Sequence, residues 1–144
     1  MLTNRELRLY RGVFIVATVY NLVWGTFVVL FPARPFVWAG MPLPNYPSIW
    51  QCIGMFVLVY AVGYAFLAAD PIRYAPFALV ALLGKIFGPL GWCWAVSTGQ
   101  LPAVTGWTIV TNDLIWWPFF FPFVLKTTLA PLRRTSSQQG APTP

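Results

Sequence analysis

The chain contains no histidine and only three acidic residues, Glu6, Asp70 and Asp113. Losing histidine removes the commonest metal ligand and general base. No histidine-activated nucleophile exists, so the residues present do not define a hydrolase. Cysteine is almost as scarce. Cys52 and Cys93 are too few for a disulfide framework or a four-thiolate metal centre, and no metal site is expected. Charge is rare altogether, at 8% of residues against about 25% in a soluble domain, which excludes that class. The net charge of +6 comes mostly from basic residues flanking apolar segments. No basic stripe interleaves with exposed aromatics, so nucleic acid is excluded as a partner.

What is present is apolar. Hydrophobic residues make up 58% of the 144 positions, and the mean hydropathy is +0.68. Four stretches, 12–31, 49–69, 74–96 and 106–125, are each about 20 residues long, enough at 1.5 Å per residue to cross a hydrocarbon core of ~30 Å. The expected fold is all-α: a polytopic four-transmembrane-helix bundle over residues 1–134, with a polar, disordered tail at 135–144. The first stretch follows Arg5, Arg8 and Arg11 but is too long for a signal-peptide core, and it reads as a retained helix.

Four spans put Arg5, Arg8, Arg11, Arg73, Lys126, Arg133 and Arg134 on one side and Arg34 alone on the other. The positive-inside rule then places both chain ends in the cytoplasm. The first outer loop, 32–48, holds five prolines, which exclude regular helix there. Its apolar Phe36, Val37, Trp38 and Met41 are expected against the bundle mouth. A tight inner turn at Asp70-Pro71 makes the second and third spans antiparallel neighbours. Gly84-x-x-x-Gly88 and Asn21-x-x-x-Gly25 allow close helix approach. Pro89, Pro118 and Pro122 are expected to interrupt the third and fourth spans and kink them toward the interior.

Two charges interrupt this background. Lys85 lies about mid-way along the third span, and Asp113 is the only acid within an apolar stretch. A charge at the bilayer centre costs about 2.5–3.5 kcal/mol and is commonly functional. Asn21, Tyr60, Lys85 and Asp113, with Tyr64 one turn further in than Tyr60 and Asn112 beside Asp113, fall in one layer from mid-membrane to its outer third. Lys85 and Asp113 differ in depth by roughly 5 Å, and side chains lean toward their helix N-termini, which widens that gap. They either pair directly or are bridged by Asn21, Asn112, Tyr60 or water. The structural reading of this layer is interhelical glue, worth only ~0.6 kcal/mol per bond. The functional reading is a binding or proton-handling pocket that opens outward. Trp116 and Trp117 lie one turn past Asp113, where either could wall such a pocket or meet Lys85 through a cation–π contact. The lining suits a lipid, quinone or steroid-like ligand. Most other tryptophans form an interfacial belt. Cys52 and Cys93, at similar outer depth, are either two small hydrophobes or a thiol-redox pair. Adding Met41 and Met55 would give soft ligands for Cu(I).

The Arg-led first span ending at Phe31-Pro32, the loop string Ala39-Gly40-Met41-Pro42 and the second span from Gly54-Met55-Phe56 through Gly63-Tyr64 to Asp70-Pro71 resemble the DoxX-like group of small four-helix bacterial membrane proteins. The resemblance is architectural and covers most of 8–125. It implies the fold and no catalytic residue. Some members of that group are membrane partners of oxidoreductases or thiol-stress systems. The expected role is a binding or accessory protein of the bacterial inner membrane, holding an amphiphilic ligand or partner subunit, or acting as a homo-oligomer. A small-solute or proton-coupled transporter and a membrane thiol-redox enzyme are the alternatives.

Overall fold

A computed structural model describes residues 2–129. The expectations for the tail and for Arg133 and Arg134 fall outside these residues. Every regular element within them is helical, and four assemblies are long and apolar enough to cross a membrane: 4–30, 47–69, 75–97 and 103–129.

Helix α1, Asn4–Leu30, starts at a reciprocal cap, in which Thr3 Oγ1 accepts from the Glu6 amide and Glu6 accepts from the Thr3 amide. A short helix α2, Arg34–Trp38, follows. The sequence excludes helix from this loop on the strength of its prolines, and that expectation fails at one place. Pro35 occupies the first turn, where its missing N–H would have no intrahelical partner anyway. Trp38 then stacks on Phe27 with ring centres 5.2 Å apart, and Phe36 meets Trp50 edge-on at 5.3 Å. Helix α3, Pro47–Ala69, ends at Asp70, whose Oδ1 accepts from the Ile72 and Arg73 amides and closes the tight turn into α4, Ala75–Ser97.

The fourth assembly is broken. Helix α5, Gly106–Asn112, stops at Asp113. A 3₁₀ turn, Leu114–Trp116, leads into α6, Trp117–Val124, and a π-helical turn follows over Leu125–Leu129. Pro118 explains the position of the break. In a continuous helix its ring would collide with the Leu114 carbonyl one turn back, so that turn tightens and Leu114 O accepts from the Trp117 amide instead. Pro89 acts differently from expectation, because α4 continues through it without a break.

The helices form a ring, with α1 against α3, α3 against α4, α4 against α5 and α6, and α6 against α1. The α1–α3 seam is the tightest. A Cβ on Gly25 would lie 2.9 Å from Gly54 O, and one on Gly54 would lie 3.0 Å from Gly25 O, so only glycine lets these backbones meet. The two ends of the bundle differ. The end bearing the Asp70 turn, here the turn end, is filled by Tyr10, Phe14, Leu67, Phe120 and Phe123, all 5% exposed or less. Their rings interlock edge-to-face at 4.8–5.5 Å. The opposite, loop end contains cavities. The outward faces are apolar, with Val23, Phe56, Val59, Phe87 and Trp94 all more than 60% exposed, as suits contact with lipid rather than water.

Candidate functional site

Where the packed core stops, the polar residues begin. Asn21, Lys85 and Asp113 are the buried polar and charged side chains among the described residues, at 6%, 5% and 4% exposure. The break in the fourth assembly creates the site's main acceptor. Trp116 N bonds back to Asp113 O, so Asn112 O loses the amide it would have had in a continuous helix. The Lys85 ammonium takes that carbonyl at 2.6 Å. It also sits over three rings, with its nitrogen 5.5 Å from the centre of Trp116, 5.6 Å from Phe120 and 5.8 Å from Tyr64. Cation–π attraction reaches about 2 kcal/mol when the charge is desolvated, comparable to the cost of placing a lysine there.

A reciprocal bond runs the other way. Pro89 has no N–H to give the carbonyl four residues earlier, and that carbonyl belongs to Lys85. Trp117 Nε1 donates to it at 3.1 Å. Residue 85 is therefore held through both its side chain and its backbone by the two sides of the broken span.

Lys85 and Asp113 form no ion pair. The salt bridge present among the described residues joins Lys126 to Glu6. Asn112 stands between the two charges: its carbonyl accepts from Lys85, and its side-chain amide donates to Asp113 Oδ1 at 3.1 Å. No donor among the described residues reaches Asp113 Oδ2, which packs on Gly88, where a Cβ would come within 2.8 Å of it. Of the bridges open to the sequence reading, the one formed is Asn112. Asn21 instead donates to Val57 O at 3.2 Å, joining α1 to α3. Tyr20, Thr111 and Trp116 complete a second polar chain, with Tyr20 OH donating to Thr111 Oγ1 at 3.2 Å and Trp116 Nε1 to Thr111 O at 3.1 Å.

Between these groups lies a cavity of about 230 Å³. It is lined by Asn21, Tyr60, Tyr64, Lys85, Asn112 and Asp113, with Ile53, Phe56 and Gly84 at its rim. Ile53 is 45% exposed and Phe56 67% exposed, and Gly84 is exposed as well. The mouth therefore lies in the groove between α3 and α4, on the apolar flank of the bundle, and not at its end as the sequence suggests. Five residues singled out from sequence, Asn21, Tyr60, Lys85, Asn112 and Asp113, meet at this cavity. Trp116 and Trp117 do not line it but hold Lys85 from behind. Tyr64, placed in the polar layer by its depth, lines the cavity and lies under the ammonium, as does Phe120, which the sequence does not single out. Cys52 and Cys93 are free, exposed thiols.

At the turn end, Glu6 and Lys126 pair across α1 and the last turn. The ammonium and the Thr3 amide hold the Glu6 carboxyl down at about 2, and the same pairing raises the Lys126 ammonium. Comparison with protein families, curated proteins and solved structures finds no match to this chain.

Proposed function

We propose that this is a small integral membrane protein that binds an amphiphilic ligand taken from the bilayer, with the ligand's polar group between Lys85 and Asp113. The observation that carries the reading is the combination of two buried, mutually unpaired charges with a cavity whose rim is exposed and apolar. Lysine has three N–H donors, and one of them is committed, to Asn112 O. A site kept for helix packing alone would pair its charges directly. A water-soluble ligand would meet Ile53 and Phe56 at the mouth, whereas a lipid-soluble one arrives there by lateral diffusion. The DoxX-like resemblance adds an accessory role beside a partner membrane protein.

Arg5, Arg8, Arg11, Arg73 and Lys126 at the turn end, against Arg34 at the loop end, support a cytoplasmic turn end. A bacterial inner membrane is the proposed location.

The test is mass spectrometry of the protein released from native-lipid discs, wild type beside Lys85→Met. A species of defined mass retained by wild type and lost from the variant is the expected result. Equal retention by both, or none by either, refutes the reading. A second reading, transport, rests on the broken fourth span, since discontinuous helices flank the sites of many transporters. Flux of the identified ligand across vesicles that depends on Lys85 and Asp113 would favour it over binding alone.

A further inference from the structure

We infer that the ligand is an uncharged amphiphile whose head carries both a hydrogen-bond donor and an acceptor, and that its apolar body lies in a second cavity at the loop end. The inference rests on the binding role just proposed and specifies its ligand class.

The head chemistry follows from the charges on the cavity wall. One ammonium and one carboxylate cancel formally, yet Asn112 keeps them apart. An anionic head would satisfy Lys85 and face Asp113; a cationic head would do the reverse. Either would leave an uncompensated charge in a site where burial makes that costly. A neutral head such as a hydroxyl or vicinal diol accepts from Lys85 and donates to Asp113 Oδ2, meeting both needs without adding charge.

The position of the body follows from the neighbouring cavity. A space of about 450 Å³ is lined by Phe36, Met41, Trp50, Gly88, Trp92 and Ile109, among other residues. Only thin material separates it from the polar cavity: Ile53 lines both, and Gly88, which lines the second, touches Asp113 on its other side. Its walls are mostly apolar, and the Thr105 and Thr108 hydroxyls, which also line it, already donate to backbone carbonyls.

The test uses three photoreactive probes that share one alkyl chain with a terminal diazirine and differ in the head: a monoacylglycerol, a carboxylate and a primary ammonium. Each is incubated with the full chain in neutral-lipid nanodiscs, with and without excess unlabelled competitor, and the labelled peptides are sequenced. The expected result is competable labelling by the monoacylglycerol at Trp50, Trp92 or Ile109. It should be about tenfold stronger than with either ionic probe, the ratio that corresponds to about 1.4 kcal/mol, and it should be lost in Lys85→Met. Gly88→Leu, which fills the partition, should abolish labelling at these residues. If Gly88→Leu fails to fold, Ile109→Trp fills the second cavity from α5 instead and should do the same. Competable, Lys85-dependent labelling that favours an ionic probe, or that falls outside the second cavity, overturns this inference and leaves the binding role standing. Absence of competable, Lys85-dependent labelling with all three probes overturns both.

Discussion

The two ends of this bundle are built from the same kinds of residue and do opposite things. At the turn end, aromatic rings from α1, α3 and α6 interlock, and Phe14, Phe120 and Phe123 are fully buried. At the loop end, Trp50 and Trp92 line open space. Lys85 sits on the boundary, resting on the last rings of the packed half and facing the cavity of the other. Aromatic content alone does not make a core. At the turn end the α3–α4 turn is short and the fourth assembly is α-helical from Trp117 to Val124. Toward the loop end the fourth assembly is interrupted at Asp113, and open space remains between α3, α4 and α5 although α1 and α3 stay in close contact.

The largest expected effect is therefore at the turn end. Phe120→Ala removes both a packed ring and part of the floor under Lys85, and should destabilise the fold by about 3–5 kcal/mol. Trp92→Ala, at the wall of a space already open, removes a partly exposed ring and one hydrogen bond to Thr105 and should cost less, about 1–2 kcal/mol. Reversible unfolding in mixed micelles measures both; equal losses would erase the contrast between the ends.

Next comes the boundary itself. Lys85→Met leaves the Asn112 carbonyl without its donor and Asp113 without a nearby cation, a loss of about 2–3 kcal/mol. Asp113→Asn alone should cost less, because Asn112 Nδ2 can still donate to its carbonyl oxygen. The double variant should fall short of the sum by about 0.5–2 kcal/mol, since Asn112 couples the two sites. Strict additivity would show that the bridge carries no energy.

A smaller effect tests the reciprocal bond. Trp117→Phe removes the donor to the carbonyl that Pro89 leaves free, at about 1–2 kcal/mol. Adding Pro89→Ala restores a backbone N–H four residues after Lys85 and should recover most of that loss. Without recovery, the Trp117 bond is incidental.

The smallest effect lies outside the apolar segments. The Glu6 carboxyl is held at about 2 in the folded protein against an ordinary value of 4.5. A depressed carboxyl contributes stability above its unfolded value and loses it as pH falls through the folded one. The Glu6–Lys126 contribution is therefore complete above about pH 5 and gone near pH 2. It is small because the pair lies at the surface, with Lys126 half-exposed and Glu6 partly exposed. The melting temperatures of wild type and Glu6→Gln should converge across that window, and curves that stay parallel would contradict the assignment.

Much of this was legible in the sequence, and for one reason. A charge or amide within an apolar stretch is costly enough that its position marks an interior face, so Asn21, Lys85, Asn112 and Asp113 could be placed together before any coordinates. The four spans were legible by length and hydropathy. Azimuth was not. Depth puts Tyr64 in the polar layer, but nothing in an apolar run says which way it or Phe120 points, so the floor beneath Lys85 is not readable there, and Cys52 and Cys93 can be matched in depth without showing that both are exposed. The role of Trp117 did leave a signal: a proline four residues after Lys85 announces a carbonyl in need of a donor. The helix over Arg34–Trp38 was missed because a proline count ignores position, and Pro35 stands where a helix accepts it.

The central claim is that the buried ammonium and carboxylate do not meet. The composition suits a direct measurement, because the chain has two lysines, Lys85 and Lys126, and two aspartates, Asp70 and Asp113. Solid-state NMR dipolar recoupling between ¹⁵Nζ-lysine and the ¹³C-carboxyl of aspartate, in lipid, reports their separation. A parallel sample labelled at the single glutamate reads the Glu6–Lys126 pair as an internal standard. The account predicts strong recoupling to glutamate and weak recoupling to aspartate. Aspartate recoupling as strong as that to glutamate would put Lys85 on Asp113 in a direct ion pair and contradict it.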